Sequence, residues 1–187
     1  MVRTPIVAVR ISDLARAWVG WGTLDKRPYV PHTGPAETIH ETRKYEIAST
    51  PQSISLLKEL DKFFSRFTGN ILVKGVFDGL RVIHDARLSR EVVSLVEFKT
   101  VEQQASWTTI DMATFQLQLY IWLLKPCIAR KGLILHKRHY VEIVRRTDGK
   151  FLERFPVEED PDIEEKIWLL LAEHDGIIVN TQKVGEI

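Results

Sequence analysis

The sequence predicts an α/β fold, a central mixed β-sheet flanked by helices, and three observations lead there. Apolar residues recur at helical spacing before residue 70, β-rich texture takes over from Ile71, and a long helical segment then interrupts the strands before a final helix. The chain has 187 residues, of which 44% are hydrophobic and 27% charged, enough for one sizeable core and without the polar bias of a disordered protein. No repeat or Gly/Ser-rich linker divides it, so residues 1–187 are expected to form a single domain.

Taken in order, Ser12 is placed to cap a short helix running to Trp18. Gly20, Gly22, Pro28, Pro31, Gly34 and Pro35 then mark a loop. Pro35 suits a first helical turn, which predicts a helix over 35–48. Ile54, Leu57, Phe64 and Phe67 predict another over 51–67, with Gly69 and Asn70 as its stop. Strands are predicted over 71–84 and 91–100 around the polar turn 86–90, reading as a hairpin. A helix over 109–125 should end at Pro126, followed by strands over 132–144 and 151–155 around Thr147, Asp148 and Gly149, and by a helix over 161–174.

Several functional classes fall away. The apolar run from Leu119 to Leu124 is too short to span a bilayer, and residues 1–10 lack the apolar core of a secretory signal, so a cytoplasmic protein with no membrane partner is expected. The single cysteine, Cys127, cannot form an internal disulfide or by itself hold zinc or an iron–sulfur cluster. A net charge of +1 hides a basic segment, 125–146, and an acidic one, 158–175. The basic segment suits a phosphate backbone, and equally an ordinary solvated edge.

The hairpin carries the chemistry. In an antiparallel pair the numbers of opposed residues sum to a constant, and opposing Asp78 to Glu97 puts the midpoint between Arg87 and Leu88, inside the expected turn. Alternation then places Lys99 on the face of Glu97, and Val96 and Phe98 on the other side, packed in the core. Two carboxylates beside one ammonium suit magnesium or manganese, hard cations that take oxygen ligands and activate water for attack on a phosphodiester. The same pattern also describes an exposed cross-strand ion cluster worth about 0.2 to 1 kcal/mol.

Gly75-Val76-Phe77-Asp78 resembles the GxxD motif of the RecB-like branch of the PD-(D/E)XK nucleases, and Glu97-Phe98-Lys99-Thr100 resembles their (D/E)xK-T motif. Gln116 and Tyr120 are similar to the family's QxxxY motif, and Gly34 followed by His40 stands where many members carry a metal-binding histidine. The motifs fall in family order across a core of about residues 34–125. The resemblance implies a restriction-endonuclease-like core with Mg or Mn held by His40, Asp78, Glu97 and the backbone carbonyl of Phe98, with Lys99 as the catalytic lysine. Gln116 and Tyr120 would contact the scissile strand. By pattern alone His40 sits on a polar stripe with Glu37, Glu41 and Lys44, so its metal role is implied only by the resemblance. Trp107 suits either a base-stacking platform or a loop residue covering the core.

The overall look is that of the CRISPR-associated RecB-like exonucleases, which hold an iron–sulfur cluster on four cysteines; with only Cys127 here, no cluster is expected. A role in DNA repair, replication or a mobile element fits equally. The expected activity is exonucleolytic hydrolysis of single-stranded or end-bearing DNA. One alternative is a non-catalytic DNA-binding or scaffold subunit of a helicase–nuclease complex; another is a structure-specific endonuclease or resolvase. No GxxxxGK(S/T) phosphate loop occurs, so ATP-driven unwinding would need a helicase or other nucleic-acid-processing partner.

Overall fold

A computed structural model describes residues 6–21, 27–28, 44–47 and 64–175. They form a mixed α/β structure, with strands divided between two mixed sheets and three helices packed on them. In chain order the elements are β1 (Val7–Arg10), α1 (Ile11–Trp18), β2 (Arg27–Pro28), β3 (Lys44–Ile47), β4 (Phe64–Thr68), β5 (Ile71–Gly75), β6 (Gly79–Asp85) and β7 (Arg90–Val101). There follow α2 (Trp107–Arg130), β8 (Ile134–Leu135), β9 (His139–Arg145), β10 (Phe151–Val157) and α3 (Ile163–Asp175). One sheet runs β2-β1-β5-β4; the other runs β10-β9-β7-β6-β3, with β8 also paired to β7.

Residues 71–84, expected as one strand, are two. β5 pairs with β1 and β4, β6 pairs with β7 and β3, and the chain crosses between the sheets from Gly75 to Gly79. Asp78 therefore sits at the seam. The hairpin register is the expected one, with Gly79 opposite Val96 and Asp85 opposite Arg90, so Asp78 lies one step beyond the last pair, level with Glu97.

Two predicted helices are corrected where they are described. Lys44–Ile47, the end of the predicted helix 35–48, is a strand parallel to β6, and Phe64–Thr68, the end of the predicted helix 51–67, is a strand antiparallel to β5. The remainder of both helices lies outside the described residues. Short apolar runs fit either period, and Gly69, at φ 57°, serves the β4–β5 turn rather than a helix stop. At α1 the cap position is Arg10, with Ser12 inside the first turn.

The helix expected to end at Pro126 continues to Arg130. Proline cannot donate to the carbonyl four residues earlier, that of Trp122. Arg66 on β4 does so instead, its Nη1 donating to that oxygen at 2.7 Å while its guanidinium lies 4.5 Å from the centre of the Trp122 ring. The lost helical bond is replaced from the neighbouring sheet.

α2 packs against strands of both sheets, and α1 and α3 pack on α2. Val93, Leu95, Val141 and Ile143 face it from the larger sheet, and Ile71 and Val73 contribute from the smaller one. Phe115 is fully enclosed on α2 and stacks on Trp18 of α1, with ring centres 4.5 Å apart. The core thus lies on the Glu97 face of β7. Phe98 points to the opposite face and borders a cavity of about 200 Å³ with Val96, Leu80 and Phe151, so its expected place in the core is corrected.

Candidate active site

Alternation along β7 puts Glu97 and Lys99 on the face covered by α2, in line with the core residues Val93 and Leu95. Burial follows from that position. Glu97 is 1% exposed, whereas Lys99, nearer the open end of the strand, keeps about a fifth of its side chain in solvent.

Lys99 joins the elements. Its Nζ donates to Glu97 Oε1 at 2.8 Å and to Gln116 Oε1 at 2.9 Å, and Gln116 Nε2 in turn donates to the Tyr120 hydroxyl at 3.4 Å. Gln116 and Tyr120 reach this face because residues four apart on a helix share a side. Asp78 enters from the seam, its Oδ2 accepting a 2.9 Å hydrogen bond from the backbone N–H of Phe98. Asp78, Glu97, Phe98, Lys99, Gln116 and Tyr120 are thus gathered in one place, while His40 lies outside the described residues.

Gly75, the first position of the GxxD stretch, explains how α2 comes so close. A Cβ there would lie 2.9 Å from Tyr120 Cε1 and 3.1 Å from Ile11 Cδ1, so only glycine fits beneath the tyrosine ring. Phe77 then meets Tyr120 edge to face at 6.5 Å.

Electrostatically the site is unbalanced. Burial pushes the Glu97 carboxyl up to about 8, the neighbouring Asp78 carboxylate adds to the rise, and the Lys99 ammonium opposes it. Among the described residues, buried Glu97 Oε2 has no hydrogen-bond partner. A buried carboxylate oxygen without a donor, beside a second carboxylate, is a fit for a hard divalent cation. Among the described residues no group of three His, Cys, Asp or Glu side chains comes together, so the carboxylate ligands on hand are this pair.

Other expectations change. Trp107 is the first residue of α2, 78% exposed, and lies half a helical turn around from Gln116, so it does not cover the core. The basic segment 125–146 is not one continuous track. Lys125 pairs with Glu159, Lys137 and Arg138 precede β9, and Arg145 and Arg146 lie at its far end, about 20 Å away along the strand. Within that segment the position of Arg145 is what sequence reasoning did not fix: β9 runs parallel to β7 with Ile143 beside Lys99 and Arg145 beside Val101, which puts Arg145 on the Lys99 face. No local pattern signals a pairing between segments so far apart in the chain.

No family model matches the chain, and no curated protein does. Among solved structures it is similar to the crystal structure of SSO0001, with 16% identity, a TM-score of 0.37, and coverage of 59% of this chain and 45% of that one. The chain spans less than half of that protein's length, and a likeness of this degree decides neither fold family nor function. No helix among the described residues is long and apolar enough to cross a membrane.

Proposed function

We propose that the protein is a divalent-metal-dependent deoxyribonuclease of the RecB-like PD-(D/E)XK type, acting as an exonuclease on single-stranded or end-bearing DNA. The observation that carries this reading is the convergence of three separate sequence motifs: Lys99 bridges Glu97 and Gln116 and through it reaches Tyr120, and Asp78 accepts the backbone N–H of Phe98 between Glu97 and Lys99. An ordinary surface ion cluster would leave Glu97 hydrated; here its carboxyl is enclosed and one oxygen lacks a donor.

In this reading Asp78 and Glu97 hold Mg or Mn, with the Phe98 carbonyl and His40 as further ligands. The cation supplies Lewis acidity and positive charge for phosphodiester hydrolysis. Lys99 exchanges its bond to Glu97 for the phosphate or the attacking water and offsets the negative charge that develops on the phosphate oxygens. Gln116 holds the Lys99 ammonium in place, and Tyr120, buried in the core, backs Gln116 through its hydroxyl.

The test is incubation of end-labelled single-stranded, duplex and flap DNA, and of circular DNA, with magnesium or manganese. Label release from linear forms with circles left intact is the expected result. Cutting of circles would move the reading to an endonuclease, and binding without cutting in any metal would make the chain a non-catalytic DNA-binding subunit.

A further inference from the structure

The β9–β10 turn continues the catalytic face beyond Lys99. Val101, two residues and roughly 7 Å further along β7, is paired with Arg145, and the backbone N–H of Arg146 donates to the Val101 carbonyl at 2.7 Å. The turn itself is tightly built. Gly149, at φ 69°, bonds back to the Arg145 carbonyl, Arg145 and Lys150 close the hairpin at 2.8 Å, and Asp148 receives both the Arg145 guanidinium at 3.1 Å and the Lys150 N–H at 3.0 Å. Asp148 thereby neutralises Arg145. Arg146 and Lys150 are exposed and make no ion pair among the described residues, so two cations stand on a tightly bonded turn just beyond the end of β7 that carries Lys99.

From this placement we infer that the turn 145–150 grips the phosphodiester backbone of the nucleic acid strand next to the bond held at Lys99. The inference rests on the nuclease reading for the position of the scissile phosphate. Two cations held by a stiff hairpin lose little freedom on meeting phosphates, and each contact releases condensed counterions. Lys137 and Arg138, at the other end of β9, are also exposed but lie about 20 Å from this turn, and serve as the internal comparison.

The experiment measures binding of a fluorescent single-stranded oligonucleotide by anisotropy in chelator, across a range of salt concentrations, for the parent, Arg146→Ala/Lys150→Ala and Lys137→Ala/Arg138→Ala. Loss of two phosphate contacts lowers the slope of log affinity against log salt by about 1.4 for a single strand. The expected result is that drop in the first variant and the parent slope in the second. An unchanged slope in the first variant, a drop confined to the second, or a parent that does not bind at low salt overturns the inference. Cleavage by the parent in magnesium or manganese is read separately. A protein that cuts DNA yet keeps its slope without Arg146 and Lys150 keeps the nuclease reading and loses this one; a protein that binds through the turn but never cuts does the reverse.

Discussion

Glu97 is held at a cost: burial and the neighbouring Asp78 raise its carboxyl to about 8, so without a cation it carries a proton at neutral pH. Its carboxyl is enclosed by the core face of β7, crowded by Asp78 and only partly compensated by Lys99. Glu97→Gln keeps an acceptor for Lys99 and removes a carboxyl that must take up a proton to be buried at neutral pH. Metal-free Glu97→Gln should therefore be more stable than the parent, by about 1–3 kcal/mol, and should lose the rise in melting temperature that manganese gives the parent. Thermal melts with chelator and with manganese check both halves. Gly75→Ala acts from the other side of the site, forcing a methyl against the Tyr120 ring and Ile11. An overpacking cost of about 1–3 kcal/mol is expected in denaturant melts, together with slower cleavage as Tyr120 and Gln116 shift. The juxtaposition of Asp78, Glu97 and Lys99 was legible in the sequence because hairpin register and strand alternation are local rules. The position of Arg145 was not, because its place beside β7 depends on the parallel pairing of β9 with β7.

At the scale of elements, α2 shows what a local rule misses. Pro126 reads as a helix end, yet Arg66 supplies the donor that proline lacks, and the helix runs on to Arg130. Arg66→Ala should destabilise the fold by about 1.5–3 kcal/mol, the range for a hydrogen bond to a charged group, with added loss from the stacked Trp122 ring. Arg66→Lys should recover only part of it, since an ammonium cannot both lie flat on the ring and donate at the same angle. Urea unfolding of the two variants measures the difference. The predicted helix 51–67 failed at Phe64–Thr68 for a related reason: those residues find their partner in β5, and pairing across a turn overrides a spacing that fits two periods. The hairpins β6–β7 and β9–β10, each marked by a polar turn between alternating residues, were readable in advance.

Across the whole molecule, stability should depend on pH through a buried group outside the proposed metal site. His139 is fully buried at the start of β9; its Nδ1 accepts the Leu95 N–H at 2.9 Å, and its Nε2 has no partner among the described residues. Burial lowers its pKa from 6.5 to about 4, so between those values the unfolded chain binds a proton that the folded chain refuses. Its contribution to stability is complete above pH 6.5 and falls as pH drops towards 4, by roughly 3 kcal/mol in all. Unfolding free energies measured across that range should fall less steeply in His139→Asn than in the parent. The two sheets meet at Asp78 and are bridged by α2, so the stability of the whole governs how accurately Gln116 and Tyr120 are set over Lys99. The central claim is that Asp78 and Glu97 hold a metal that cleaves DNA, and the most direct measurement is the rate of label release from an end-labelled single strand in manganese. The parent should cut, with Asp78→Ala and Glu97→Gln, both folded by circular dichroism, slower by about 100-fold or more; equal rates in all three proteins would contradict it.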